Sequence, residues 1–408
     1  MSHIVEHLFR HQAGRMVSHF ARLLGPAHLD LAEDAVQEAM LRALETWPQT
    51  GLPENGAAWL YRVAHNIAID ATRKSKLHGD KTPAILAELT RSAAAIPGDP
   101  DLEEQLRDDE LRMIFMCCHP LLSRESSIAL ALKTVCGFSV REIARAFLAD
   151  ETAVAQRIVR AKRQLRDAGT SLEMPHNGEL AARLSTVLDV LYFMFNEGYS
   201  ACQGEDLIRH DLCLESLRLA RLIASSSIST PRVDALVALL AFQSARLPAR
   251  VDSAGDLVLL EDQDRSKWNP DLIALGFHHF DRSIAGDAVS EFHVQAAIAA
   301  SHARGTDWPM ILHLYDQLCE IQPSPVVALN RAVALSKVEG PAAALSIVDR
   351  LADPLENYHL LLAARAHLLT ELGRIEEAAL CYRAAIQRPC SIPERRFLER
   401  KLHALDPR

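Results

Sequence analysis

Apolar residues recur at helical spacing along most of the chain. The pattern predicts a first helix over residues 5–24, which Gly25 and Pro26 end, and a second from about Asp30 to Thr46, which Pro48 ends. After a turn-rich loop, a third helix is predicted over residues 57–76. Aromatic residues make up only 5% of the chain, whereas alanine and leucine dominate, and this composition favours helices over strands. The fold class predicted is therefore all-α.

A change in composition divides the chain after the third helix. Residues 77–107 are richer in glycine, proline and acidic side chains, which predicts a flexible linker, and helical periodicity resumes at Asp109. Residues 139–166 have a helix-turn-helix layout, with Ser139 and Glu142 spaced as a capping box. The apolar residues predicted to pack across this turn are Ile143, Ala144, Phe147, Val154, Ile158 and Leu165.

From residue 178 the pattern is helical almost to the end, with a polar break around residues 252–270. Near the end the pattern repeats. Ala332, Leu335, Ala344, Val348 and Leu351 are followed 34 residues later by Ala366, Leu369, Ala378, Tyr382 and Ala385. Thirty-four residues is the period of tetratricopeptide (TPR) repeats. We therefore predict a TPR-like region at about residues 292–390; unrelated helix pairs with alanine-rich contacts are the alternative.

Charge is distributed unevenly. Within the net charge of −9, residues 1–76 are neutral, residues 108–170 carry +2 and residues 178–408 carry −7, and the residues between these segments carry the remaining −4. Five basic residues fall within ten positions of the helix-turn-helix: Arg157, Arg160, Lys162, Arg163 and Arg166. Any nucleic-acid surface is expected in the first 170 residues, although a solvated basic helix end would look the same.

Other chemistry has little support in the sequence. Adjacent residues on a helix point about 100° apart, so Cys117, Cys118 and His119 are not expected to bind metal together. The histidines at 278, 279, 293 and 302 are expected to pack or face solvent. Glu197 could brace a domain junction or line a small-molecule pocket. Phosphate-binding and nucleophile motifs are absent from the sequence, so neither a cofactor, a metal nor a catalytic residue is predicted.

The longest apolar run, residues 235–242, is far shorter than the roughly 18–20 residues of a membrane span. The first residues are polar where a signal peptide would be apolar, so a cytoplasmic location without membrane attachment is expected. The eight cysteines form no CxxC pair and are expected to be reduced thiols.

Residues 34–43, DAVQEAMLRA, and 58–74, AWLYRVAHNIAIDATRK, together with the helix-turn-helix, resemble the extracytoplasmic-function (ECF) sigma factors of bacterial RNA polymerase. The first segment is similar to region 2.2 of that family. The resemblance implies that this helix docks on the β′ clamp of core polymerase. The residues that match the family motif are Asp34, Gln37, Glu38 and Arg42.

Residues 58–74 resemble regions 2.3 and 2.4 of the family. The resemblance implies that this segment contacts the minus-ten promoter element. The implied DNA-binding residues are Trp59, Arg62, Asn66, Arg73 and Lys74. Trp59 could instead support the helix core, and Asn66 with Asp70 could instead brace the helix end. Both alternatives stay open.

Residues 139–166 resemble region 4.2 of the family. The resemblance implies contact with the minus-35 element and the β flap of polymerase. The implied DNA-binding residues are Thr152, Gln156, Arg157, Arg160, Lys162 and Arg163. Ala155 stands where the family commonly has lysine, so promoter preference cannot be transferred from a relative.

The resemblance implies a region 2 domain over residues 1–76, a linker over 77–107, a region 4 domain over 108–170 and a helical extension over 178–408. The resemblance to one ECF subgroup implies that this extension regulates the sigma domains and that a small YCII-related protein is its partner. Promoter DNA and core polymerase are the other partners implied. The sigma factor has no enzymatic activity of its own in this interpretation.

Two other functions fit parts of the sequence. A helix-turn-helix operator-binding regulator with a helical sensor domain would use residues 139–166 but leaves 34–43 and 58–74 unexplained. An enzyme fused to a DNA-binding module would place its site at Glu197 and the histidines. A sigma factor binds core polymerase in the absence of DNA, whereas an operator-binding regulator does not. Tightly bound metal or a stabilising ligand would support the fused enzyme.

Overall fold

The computed structural model describes residues 2–74, 85–87, 89–90, 100–146, 149–200, 207–286 and 288–405. Much of the predicted linker lies outside these residues. The described residues are mainly helical and form no β-sheet, apart from an isolated antiparallel bridge between Val251 and Leu257. The predicted all-α class is confirmed. The chain divides into two compact units, Met1–Val190 and Leu191–Arg408. Within the described ranges, no helix is both long enough and apolar enough to cross a bilayer.

The first unit holds the helices that the sequence assigns to the two sigma regions. They are α1 Ser2–Leu24, α2 Leu29–Thr50, α3 Gly56–Lys74, α4 Pro100–Cys117, α5 Arg124–Thr134, α6 Val140–Ala146 and α7 Glu151–Asp167. Helix α8, Asn177–Tyr199, begins in this unit and ends in the second.

Helix α2 does not end at Pro48, as the sequence analysis predicts, but continues to Thr50. A proline removes one helical hydrogen bond, here the one that the carbonyl of Leu44 would accept. Leu44 is exposed, so water can hydrate that carbonyl. The helix ends instead at Gly51, whose positive φ of 84° favours glycine.

The helix that leads into the second sigma region begins within the segment predicted as linker. Helix α4 starts at Pro100, inside the predicted linker, and its Leu102 and Leu106 are buried. These leucines are four residues apart on one helical face, but the acidic residues around them obscure the pattern in the sequence. Leu89, also in the predicted linker, is fully buried, and its carbonyl lies 2.8 Å from His65 Nε2.

Helices of both sigma regions pack closely within the first unit. A side chain added at Gly14 in α1 would collide with the backbone carbonyl of Val135, at the end of α5. Only glycine lets these two backbones come so near. Regions 2 and 4 are therefore joined by tight packing, in addition to the polar contacts described below.

The second unit continues as a series of helices. They are α9 His210–Ala224, α10 Pro231–Ala245, α11 Pro270–Ser283, α12 Glu291–Arg304, α13 Trp308–Ile321, α14 Pro325–Glu339, α15 Pro341–Arg350, α16 His359–Glu371, α17 Ile375–Ile386 and α18 Ile392–Leu405. The predicted polar break at 252–270 contains short 3₁₀ turns and one side of the β-bridge. At its end the side chain of Asn269 caps α11.

The positions that repeat every 34 residues lie inside the second unit. Ala332 and Ala366 are fully buried, as are Ala344 and Ala378 one helix later. Small side chains allow paired helices to approach closely. The 34-residue pattern therefore corresponds to a shared core, and the assignment of these helices as TPR-like stays a prediction.

Candidate nucleic-acid interface

Helix α2 presents a polar face opposite its buried alanines. Asp34, Gln37 and Arg42 are exposed, and Glu38 is half-buried. Arg42 Nε donates to Glu38 Oε1 at 3.1 Å, one helical turn away. Because the opposite face holds Ala32, Ala35, Val36, Ala39 and Ala43 against the core, these four polar side chains are available to a partner.

The sequence analysis missed one residue of this face. Leu41 is 56% exposed and lies three and four residues after Glu38 and Gln37 on the same side of α2. Single exposed leucines are common on protein surfaces, so Leu41 adds apolar area to this face without itself marking a binding site. The helical spacing from Asp34 through Leu41 could have identified it.

The predicted minus-ten residues lie on helix α3. Arg62, Asn66 and Arg73 are exposed, whereas Trp59 is half-buried and packs edge-to-face on Trp47, with ring centroids 5.5 Å apart. Trp59 and Arg62 also line an open pocket of about 740 Å³ together with residues 53–58. Trp59 thus supports the α2–α3 packing and reaches this pocket. The Lys74 side chain lies outside the described residues.

Asn66 and Asp70 do not hydrogen-bond each other in this structure, and Asp70 instead lies 4.0 Å from Arg73 at the end of α3. Arg62 and Asn66 remain solvent-facing on the same side of the helix. The structure therefore brings Trp59, Arg62 and Asn66 together, and leaves Arg73 near an acidic neighbour.

Helices α6 and α7 form the predicted helix-turn-helix. Ser139 N donates to Glu142 Oε2 at 2.8 Å and Glu142 N donates to Ser139 Oγ at 3.2 Å, so the predicted capping box is present. The predicted apolar contacts Ile143, Ala144, Val154, Ile158 and Leu165 are buried, and Phe147 lies outside the described residues. Asp150 caps α7 by accepting from Ala153 N.

The outer face of α7 carries most of the predicted minus-35 residues. Thr152, Gln156, Arg160 and Arg163 are exposed and Arg157 is half-buried. Apart from Arg163, which pairs with Asp167 at 3.3 Å, no carboxylate of a described residue pairs with these side chains. This face is cationic and sterically open.

Lys162 points away from that open face. Its Nζ lies 2.8 Å from Asp30 Oδ1 and 2.7 Å from Glu33 Oε2, both at the start of α2. Burial disfavours the charged form of Lys162, but the two carboxylates outweigh burial and raise its pKa above the ordinary value. A residue predicted to contact DNA is thus held by α2, the helix predicted to dock on polymerase. We call these three residues the Lys162 clasp.

A second polar cluster joins the two sigma regions around Asp109 of α4, whose side chain is 1% exposed. Its Oδ2 accepts from Arg22 Nε at 2.9 Å and lies 2.9 Å from His19 Nδ1. Oδ1 accepts from Arg112 Nη1, also at 2.9 Å. His19 Nε2 in turn lies 3.0 Å from the Tyr61 hydroxyl of α3. Asp109 therefore links three helices through one buried carboxylate.

Most of the cysteines and histidines that the sequence analysis considers as metal ligands are buried or hydrogen-bonded within the fold. Cys117 and Cys118 are buried, and burial raises the pKa of Cys117 to about 12. His279 Nδ1 lies 2.6 Å from Asp234, and His293 completes the cap of α12. Across the described part of the chain, no three histidine, cysteine or acidic side chains are grouped as metal ligands would be.

Comparison with known proteins matches these helices to named families. The profile for Sigma-70 region 2 matches residues 8–77, and the profile for Sigma-70 region 4 matches residues 112–165. Residues 183–284 match a family of unknown function, DUF6596. An uncharacterized protein of Rhizobium meliloti is 42% identical over 384 residues, covering 93% of this chain and 90% of that protein. No solved structure matches this chain.

The matches follow the order of the surfaces described above: region 2 contains α2 and α3, region 4 contains the helix-turn-helix, and the DUF6596 segment begins within α8. Sigma-70 regions 2 and 4 in this order identify transcription initiation factors. The chain belongs to the sigma-70 family, as an ECF-like sigma factor with a C-terminal extension.

Proposed function

We propose that this protein binds core RNA polymerase, directs initiation at specific promoters and is regulated through its C-terminal extension. The observation that carries the proposal is the pair of sigma-70 regions, each with an open polar face on the helix that the family resemblance assigns to binding. Its action is placed in the cytoplasm, where bacterial RNA polymerase works. The protein itself performs no covalent chemistry.

For polymerase binding we propose the exposed face of α2, with Asp34, Gln37, Glu38 and Arg42 facing the β′ clamp and Leu41 adding apolar area. Charged side chains are compatible with this role, because the rim of a protein interface is polar and its charges orient the partner. For the minus-ten element we propose Trp59, Arg62, Asn66, Arg73 and Lys74. The pocket beside Trp59 and Arg62 would accept an unstacked base, since an indole and a guanidinium both provide flat surfaces for stacking.

For the minus-35 element we propose the outer face of α7. Thr152 and Gln156, near the start of the helix, would reach base edges, and Arg157, Arg160 and Arg163 would reach bases or phosphates. Lys162 would join this set only after leaving Asp30 and Glu33. The clasp therefore links DNA binding by region 4 to the position of region 2.

The two regions must separate for both promoter elements to be read at once. The elements are centred about 25 base pairs apart, which is about 85 Å of duplex at about 3.4 Å per base pair. In the structure, α7 touches the first turn of α2 through hydrogen bonds of 2.7 and 2.8 Å. We propose that the structure represents a closed form and that initiation requires an open one.

We propose that the extension acts through α8. Arg183, in the first turns of α8, is buried and donates to the carbonyl of Phe115 in α4 at 2.6 Å. The start of α8 is thereby held to region 4 within the first unit, and α8 continues from there into the second unit. A small YCII-related protein stays the predicted partner of this part.

Replacing Glu33 with glutamine is expected to favour the open form. The Glu33 side chain is 10% exposed, and a charged hydrogen bond of this kind contributes about 1.5 kcal/mol or more, which corresponds to about a tenfold change in an equilibrium constant. At limiting core polymerase, promoter-dependent transcription should therefore rise by up to about tenfold. Glu45→Gln, on the exposed surface of the same helix, is the control and should leave transcription unchanged. Equal activity of both variants would contradict a restraining clasp.

The proposed function is tested by gel filtration with purified core polymerase in the absence of DNA, followed by transcription from a promoter of the protein's own gene neighbourhood. We expect co-elution and a specific transcript. A protein truncated after Met174, with its fold checked by circular dichroism, should give a changed transcript yield. A folded protein that binds operator DNA but not polymerase would instead be a helix-turn-helix regulator. Unchanged yield after truncation would contradict regulation by the extension.

A further inference from the structure

Three arginines in the second unit have no acidic partner among the described residues. Arg246 follows α10, Arg250 lies four residues later, and Arg265 lies in a short 3₁₀ turn before α11. Their hydrogen bonds go to neutral oxygens. Arg246 donates to the side chains of Gln243 and Gln263, Arg250 to the carbonyl of Tyr199, and Arg265 to the carbonyl of His302 and the hydroxyl of Thr306.

The same arginines lie on aromatic rings. The guanidinium carbons of Arg246 and Arg265 are 5.4 and 5.1 Å from the centroid of the Trp268 ring. The guanidinium carbon of Arg250 lies 3.6 Å from the Tyr199 ring. Cation–π contacts of this kind hold the planar groups in place but do not neutralise their charge. We call Arg246, Arg250, Arg265 and Trp268 the arginine cluster.

The positive charges of the cluster act on each other. Burial, followed by the nearby charges of Arg250 and Arg265, lowers the pKa of Arg246 from its ordinary value. Burial and two members of the cluster, Arg246 and Arg265, lower the pKa of His302 to about 4. His302 is therefore neutral near pH 7, and the cluster still carries more positive charge than its described surroundings balance.

A buried donor in the cluster also lacks an acceptor. Trp268 is 6% exposed, and its Nε1–H has no hydrogen-bond partner among the described residues. Leaving a buried donor unpaired costs about 1–3 kcal/mol, so such groups are usually satisfied by a ligand or water. This donor belongs to the ring that Arg246 and Arg265 contact.

We propose that the arginine cluster binds a small polyvalent oxyanion, carried as a phosphate or carboxylate group on a small molecule. The site offers guanidinium and indole N–H donors, and an acceptor-rich anion would satisfy both the excess charge and the unpaired indole donor. The cluster lies within the segment that matches the family of unknown function. The proposal goes beyond the function proposed above and identifies the extension as a ligand-binding domain.

Isothermal titration calorimetry on the full chain tests the site, with pyrophosphate and citrate as probes at an ionic strength held constant with potassium chloride. We expect saturable binding of at least one probe, and the tighter one indicates a phosphate or a carboxylate ligand. Arg265→Gln should weaken binding about tenfold, as the loss of one charge-assisted hydrogen bond implies, and Arg265→Lys should weaken it less. Arg265 is exposed, so the fold should tolerate these changes.

Arg304→Gln is the matched control. Arg304 also rests on an aromatic ring, 4.6 Å from the Phe277 centroid, but it lies outside the cluster. This variant loses the same charge and should bind the probe with unchanged affinity. Failure of both probes to bind saturably, or equal weakening by Arg265→Gln and Arg304→Gln, would overturn the proposal. Because binding is measured without polymerase or DNA, neither outcome depends on the proposed role in transcription.

Discussion

The double variant Arg157→Ala, Arg160→Ala is expected to lose promoter-specific transcription while it still binds core polymerase. Both arginines lie on the outer side of α7, and neither is needed for the buried side formed by Val154, Ile158 and Leu165. A lost arginine contact to DNA costs about 1–3 kcal/mol, so two together should reduce transcription about thirtyfold or more. The measurement is transcript yield with purified core polymerase at fixed salt.

The control for net charge is Arg383→Ala with Arg395→Ala, which removes two exposed arginines from the second unit. It should leave the transcript yield unchanged, and co-elution with polymerase should be the same for all three proteins. Equal activity of the Arg157/Arg160 variant and the wild type would contradict the assignment of α7 to the minus-35 element.

The second large effect is expected on stability. Asp109→Ala should lower the free energy of unfolding of the first unit by about 3–5 kcal/mol, because it leaves His19, Arg22 and Arg112 without the carboxylate they share. Urea or thermal unfolding, followed by circular dichroism, measures the change. Asp109→Asn keeps the shape of the side chain and should lower the free energy of unfolding by less.

Asp108 provides the control next to Asp109 in the sequence. Its side chain is 60% exposed and lies 3.9 Å from Arg112, so Asp108→Ala should change stability by less than about 1 kcal/mol. Similar losses in the two variants would mean that the buried cluster does not hold regions 2 and 4 together.

Much of the architecture follows from local pattern. The spacing of apolar residues predicts α1, α3 and the helix-turn-helix, and α3 and α7 each bury one side. The capping box at Ser139 involves residues only three apart. The 34-residue repeat likewise predicts which alanines are buried. Such features depend on near neighbours in the chain, which is why they can be predicted from sequence.

Contacts between distant segments could not be predicted in this way. Lys162 meets Glu33 across 129 positions, and Asp109 meets His19 across 90. From sequence, Lys162 belongs with the other basic residues of α7, and nothing in the local pattern separates it from Arg160 or Arg163. The arginine cluster was missed for the same reason, because Arg246, Arg265 and Trp268 meet only after the polar break folds back on α10.

The predicted end of α2 and the predicted start of α4 differ from the structure for another reason. Local rules treat Pro48 as a helix end and the acidic stretch before Asp109 as linker. In the structure, Trp47 is buried against Trp59, which favours continuation of α2, and burial of Leu102 and Leu106 favours an early start of α4. Tertiary packing thus outweighs the local preference at both places.

The separation of regions 2 and 4 is measured most directly by the distance between fluorophores at Ala27, just before α2, and at Gln164 in α7, both exposed and introduced through genetically encoded side chains. We predict a short distance in the free chain, because the Lys162 clasp holds these segments together. In a transcribing complex with core polymerase and promoter DNA, the distance should increase by tens of ångströms. A short distance that persists in an active complex would contradict the account.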